Sequence, residues 1–218
     1  MRNFRAWLLL LPLLLPGGGC AGGLPNALRP DLSRLVPETG LLAAEEETPD
    51  IAEPEGRSLR LTYNGRVRHA ALLGELGERR LWRTASGLVV ATDGARVVAT
   101  SGLKEVLAAT RFEGPDPLAN PAALLDHPAE ARRLVDLMRR DREPDGMRFG
   151  IPVECRLRAR PVAAAEDEGG LLLVEERCRA RGQGGFTNRF WADAETGAVL
   201  RAEQWIGPSL HPLRVDFP

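Results

Sequence analysis

Lysine is nearly missing from this chain: Lys104 is the single one among 29 basic residues, and 30 acids stand against them. Arginines and acids alternate throughout, so no face-sized block of one sign is present. A domain that grips phosphate backbones carries a basic surplus, and nucleic acid is excluded as a partner. No apolar run reaches the about 20 residues a membrane-spanning helix needs. The longest, Ala6 to Leu15, is about half that, contains Pro12 and stops at Pro16 and three glycines. Histidine is scarce too. His69, His127 and His211 lie far apart, with no metal-ligand or nucleophile spacing. The serines show no G-x-S-x-G elbow, and Gly182, Gly184 and Gly185 lead into a strand pattern where a phosphate loop would open a helix. No catalytic group, metal site or cofactor is expected.

What is present begins with an address. Arg2 and Arg5, the apolar run and then Gly17 to Gly19 read as an export signal over residues 1–19. Cys20 follows small residues, the position at which a thiol accepts diacylglycerol before the signal is cut. Lipidation at Cys20 and a membrane tether through that lipid are therefore expected. Gly17 occupies a place where lipoprotein signals carry an aliphatic residue, which leaves ordinary cleavage near Ala21 as the alternative. Removing 1–19 takes two arginines and no acid, moving the net charge from -1 to -3. Residues 20–57 are rich in Gly, Pro, Ala and Glu and read as a flexible tether, leaving 58–218 for one folded domain with one core.

Three cysteines in an exported chain leave Cys155 and Cys178 as a pair once Cys20 is assigned to lipid. From Phe149 to Ala159 apolar and polar residues alternate, which directs Cys155 inward. The run Leu171 to Ala180 returns after the polar segment 161–170. If opposed positions sum to 333, Cys155 faces Cys178 within disulfide reach. A buried pair of free thiols is the alternative; a redox-active pair would want C-x-x-C spacing, which is missing.

Period-two patterning and turn residues predict strands over 59–63, 66–73, 78–84, 88–92, 96–100, 148–160, 171–180, 186–192, 198–206 and 213–217. Asn64-Gly65 is a strong hairpin signal. Leu124, Ala131, Leu134, Val135 and Met138 recur at helical spacing and predict one helix over 128–140, with Glu130 in its first turn and Arg139 and Arg140 in its last. Its arginines read as a solvated face, with an anion site as the competing reading. The fold class is thus mainly β, an antiparallel sandwich or curled half-barrel with one short helix.

Trp82 and Trp205 are the candidates for facing a glycan, because an indole stacks on apolar ring faces while its N–H donates to a polar partner. Core packing competes, and at least two of Trp82, Trp191 and Trp205 are expected to pack inside. Trp191 alternates with Phe190, so one of those two rings enters the core. Glu175 with Glu176, or Glu166 with Glu168, are the residue types of glycoside hydrolysis. Strand neighbours point to opposite faces, however, so these pairs define no active site.

One set of residues resembles a known family: Trp82-Arg-Thr-Ala-Ser-Gly87, Thr100-Ser-Gly-Leu103, Asp116-Pro-Leu118 and Asn188-Arg-Phe-Trp191-x-Asp193-x-x-Thr196-Gly197, with Gln204, Gly207, Pro212 and Val215. In order and spacing they are similar to the YjbF/GfcB family, lipoproteins encoded with capsule and exopolysaccharide secretion genes. The resemblance spans about 59–218. The arginine-rich segment 128–145 and the Cys155/Cys178 pair match nothing in that pattern. The resemblance implies a β-rich periplasmic domain, anchored at the outer membrane, that serves polysaccharide secretion or assembly without catalysis, with polysaccharide or export machinery as partner. Ala21 after the cysteine, where Asp is absent, fits outer-membrane sorting. Two other classes compete: a half-barrel carrier of lipid or lipoprotein, which needs an apolar pocket, and a cryptic glycan hydrolase, which needs two carboxylates meeting in one cleft.

Overall fold

The computed structural model describes residues 57–139, 146–162 and 170–218. The signal, Cys20, the tether up to residue 56, Arg140, Glu166 and Glu168 lie outside the described residues. Twelve strands are found among those described: β1 Ser58–Tyr63, β2 Arg66–Leu76, β3 Arg79–Thr84, β4 Val89–Asp93, β5 Arg96–Ser101, β6 Glu105–Glu113, β7 Ala129–Arg139, β8 Met147–Val162, β9 Leu171–Ala180, β10 Gly184–Asp193, β11 Val199–Gln204 and β12 Leu213–Asp216.

They form one antiparallel sheet in the order β5-β4-β3-β2-β1-β12-β11-β10-β9-β8-β7-β6. This is a meander whose first and last strands pair, curled into a nearly closed barrel and open only between β5 and β6. Alternation explains the curl. In β1, Leu59 and Leu61 are buried while Arg60 is exposed, and the same apolar-inward rhythm in the other strands gives a single continuous core. Asn64 and Gly65 both take positive φ, 51° and 74°, the geometry of a tight type I′ hairpin turn.

At the open seam, a side chain replaces the missing ladder: the Leu107 N–H donates to Thr100 Oγ1 at 3.1 Å. Two connections bring further apolar side chains into the core. The segment after β6 makes two short 3-10 turns, Pro117–Ala119 and Pro121–Leu124, and buries Leu118 and Leu124. The loop after β11 buries Ile206 fully.

The mainly β class is correct, and all ten expected strands are present. The helix expected over 128–140 is a strand, β7, and helical structure nearby is confined to the two 3-10 turns. Inward positions in β7 are Ala131, Arg133, Val135 and Leu137. An arginine in that series hides the period of two, and Asp136, on the opposite parity, is also buried. Leu134, Val135 and Met138 are left to imitate a helical stripe. Strand β6, which no sequence pattern announced, carries Glu105 as an inward residue for the same reason.

Candidate functional site

Four strands of this barrel, β5, β7, β9 and β10, send inward charged or amide side chains that meet. Glu176, on the inner face of β9, is fully buried. Its Oε1 accepts from Arg96 Nη1 of β5 at 2.7 Å and from Arg133 Nη1 of β7 at 3.0 Å. Its Oε2 accepts from Asn188 Nδ2 of β10 at 2.6 Å. Arg96 turns its remaining edge to Asp116, just beyond β6, through two parallel bonds of 2.8 Å, the bidentate geometry that suits guanidinium and carboxylate. Phe112 and Phe190 lie 5.4 and 4.8 Å from the Arg96 guanidinium carbon, in cation–π range.

Burial alone would push the Glu176 carboxyl up. The two guanidinium groups and the Asn188 amide outweigh it and hold the carboxyl at about 2, so it stays ionised. Burial likewise works against the Arg96 charge, and Glu176 and Asp116 more than offset it. Two arginines therefore face two carboxylates in a closed, balanced set. A general acid needs a raised carboxyl pKa, which is the opposite of what Glu176 has. The cavity beside the network leaves about 10 Å³, room for about one water molecule.

The disulfide sits against the same network. Cys155 and Cys178 are opposed in the 333 register, with Cα atoms 4.0 Å apart and the sulfurs bonded. Both sulfurs and the Glu176 carboxylate fall within 4.8 Å, close enough for three ligands to one metal ion. The sulfurs are bonded to each other and the carboxylate is committed to Arg96, Arg133 and Asn188, so these groups do not form a metal-ligand set.

Several residues that carry the family resemblance build this interior or close the seam. Asp116 and Asn188 hold Arg96 and Glu176. Asn188 Oδ1 also accepts from the Trp205 backbone N–H at 2.8 Å. Gln204 of β11 reaches across to β5, accepting from the Val97 N–H and donating to the Ala95 carbonyl. Gly207 lies where a Cβ would stand 2.5 Å from Glu105 Oε2, and Glu105 is itself buried, accepting from the Ser209 N–H. Asp193 has a local task. Its Oδ1 accepts from the Glu195 and Thr196 N–H groups and the Thr196 hydroxyl, closing the β10–β11 turn.

A second charged region lies on the outer face. Register places Thr62, Arg214, Glu203, Arg189 and Glu175 in one row across β1, β12, β11, β10 and β9. The next row on that face reads Arg60, Asp216, Arg201, Trp191 and Leu173. Asp216 is shared by Arg201 at 2.5 Å, Arg214 at 3.5 Å and Arg60 at 3.6 Å. Burial pushes its carboxyl up, and the arginines, Arg201 foremost, bring it below the ordinary range. Where Arg214 and Glu203 meet the Asn64-Gly65 turn, an open groove of about 650 Å³ is lined by Thr62, Asn64, Glu203, His211, Pro212 and Arg214.

Of the two readings of the tryptophans, glycan-facing and core, Trp82 takes the core one. Trp82 is 2% exposed and donates to Thr92 Oγ1 at 3.0 Å, so it is a core residue with no face for a glycan. Trp205 is half-buried, stacked on Phe186 at 4.4 Å and bordering the small interior cavity. Phe190 enters the core and Trp191 takes the outer face, with the Arg201 guanidinium 6.0 Å from its ring. His69, His127 and His211 are exposed on separate elements. Glu175 and Glu176 point to opposite faces, as expected.

A carrier of acyl chains needs an apolar cavity of several hundred Å³. Of the two cavities described, the interior one is far too small and the outer one is an open groove whose side chains include Glu203, Arg214, His211 and Asn64. Outward positions of β9 to β12 carry arginines and carboxylates, the reverse of the apolar band on a membrane-spanning barrel. Among the described residues no helix is long and apolar enough to cross a membrane.

These features define the class: a nearly closed antiparallel barrel whose interior is filled by a core and a balanced ion network. Residues 44–217 match the model of the family described as group 4 capsule polysaccharide lipoprotein GfcB, YjbF, and the chain belongs to that family. It is also similar to the crystal structure of the hypothetical lipoprotein YmcC from Escherichia coli K12, at a TM-score of 0.60 and 20% identity, over 73% of this chain and 82% of that one. At that identity the likeness shows the fold alone. No curated protein sequence matches significantly.

Proposed function

We propose that this protein is a non-enzymatic accessory of capsule or exopolysaccharide secretion, held in the periplasm by a lipid on Cys20, with the outer membrane as its site. The observation that carries this reading is the family match across 44–217. The interior supports the non-enzymatic part. Arg96, Asp116, Arg133 and Glu176 are committed to one another there, the use of titratable groups that a structural role asks for. The signal residues 1–19 and the small residues before Cys20 support the anchor.

Deleting the gene should abolish or strongly reduce surface polymer, and the wild-type gene should restore it. A Cys20→Ala form should accumulate without acylation by mass spectrometry and restore little. Unchanged surface polymer in the deletion strain would overturn the role; an unacylated N-terminus on the functional wild-type protein would overturn the anchor.

A further inference from the structure

The outer ion ladder is not balanced in the way the interior is. Arg60, Arg201 and Arg214 share Asp216; Arg189 bridges Glu203 and Glu175, and Arg177 also leans on Glu175. Five arginines thus share three carboxylates on one continuous patch. Their contacts are mostly long, 3.5 to 3.9 Å apart from Arg201 with Asp216. Such pairs hold their partners weakly and exchange them readily for an incoming anion. Arg214 is the one of the five that lines the groove; among the described residues its ion-pair contact is a 3.5 Å approach to Asp216, and its side chain is 38% exposed.

The groove gives this surplus a shape. Arg214 and Glu203 face each other across β12 and β11, beside the Thr62 hydroxyl, the Asn64 amide and exposed His211. Donors and acceptors side by side in an open trough suit a ligand with many hydroxyl groups, and the cationic excess adds a carboxylate to that ligand. Two strand spacings away, about 10 Å, Trp191 lies on the same outer face beside Arg201. Aromatic rings take the apolar faces of sugars by flat contact.

We propose that the groove at Thr62, Glu203, His211 and Arg214, continued along the ladder to Trp191, binds an acidic saccharide segment, with Arg214 meeting its carboxylate. The proposal deepens the polysaccharide reading above and rests on it.

The test uses the full mature lipoprotein in detergent micelles, with trigalacturonic acid as acidic probe and maltotriose as neutral probe, followed by calorimetry and tryptophan fluorescence. Saturable binding of trigalacturonic acid is expected, weakened by salt, with maltotriose at least tenfold weaker. Arg214→Gln should raise Kd about tenfold or more, the scale of one charged hydrogen bond, and Trp191→Leu should weaken binding further along the patch. Arg156→Gln, on the exposed face of β8 and paired with Glu130, should leave Kd unchanged. Equal binding of both probes, or an Arg214→Gln protein that binds like wild type while unfolding at the same denaturant concentration, would overturn the assignment. So would absence of saturable binding. In cells the two readings separate. An Arg214→Gln strain with normal surface polymer, beside a deletion strain that lacks it, would remove the binding site and leave the secretion role intact. A deletion strain with normal polymer would remove the secretion role whatever the sugars do.

Discussion

The same two residue types, arginine and carboxylate, are used twice in this molecule with opposite consequences. Around Glu176 they are buried, charge-balanced and bonded at 2.6 to 3.4 Å across strands far apart in the sheet. Around Asp216 they are half-exposed, cation-rich and mostly at longer range. Desolvation makes the difference. An ion pair inside must be complete, because a single orphaned charge has no water to turn to. An ion pair outside can lose a partner to solvent or to a ligand at small cost. The interior set therefore specifies how the barrel closes, and the outer set is free for recognition.

That contrast can be broken most severely at its centre. Glu176→Gln leaves Arg96 and Arg133 without a shared counter-charge, and should destabilise the domain by about 3–5 kcal/mol, read as a lower urea midpoint at unchanged slope. Next comes the double change Cys155→Ser with Cys178→Ser. Closing a loop of sequence separation 23 stabilises by about 3 kcal/mol in the chain-entropy picture, so reduction or substitution should lower the midpoint by that order. Gly207→Ala sharpens the claim that the loop after β11 packs onto Glu105. The added Cβ would meet Glu105 Oε2 at 2.5 Å, with an expected loss of about 1–3 kcal/mol. At the other extreme, Arg156→Ala removes an exposed bond to Glu130, both partners more than 60% exposed, and should change stability by no more than about 0.5 kcal/mol.

Sequence reading reached the parts of the fold in which local rules agree. Asn64-Gly65 turned as its dipeptide demands, and the clean alternation around Cys155 placed its partner in the right register. Reading failed where the interior is charged. Arg133 in β7 and Glu105 in β6 occupy inward positions that a hydrophobic pattern does not mark, so β7 carries a helix-like stripe and β6 carries no strand signal. Only the whole sheet brings Arg96, Glu176 and Asn188 together, from positions spread over 92 residues of chain. The choice between Phe190 and Trp191 stayed open in the sequence for a related reason. Trp191 could be assigned to the outside only once Phe190 was known to take the inside. A local signal for the network did exist in Arg133, an arginine two residues before Val135 and four before Leu137, all on one strand face.

The most direct test compares acid unfolding of wild type with Glu176→Gln. Glu176 has its carboxyl held at about 2 in the folded state against an ordinary value of 4.5. Its contribution is therefore fully present above about pH 4.5 and is lost as pH falls toward 2. Subtracting the variant's unfolding free energy from that of wild type cancels the other carboxylates. The difference should be largest at pH 5 to 6 and shrink by about 3 kcal/mol as pH approaches 2. A difference that stays flat across this range would show that Glu176 does not hold the barrel through its charge.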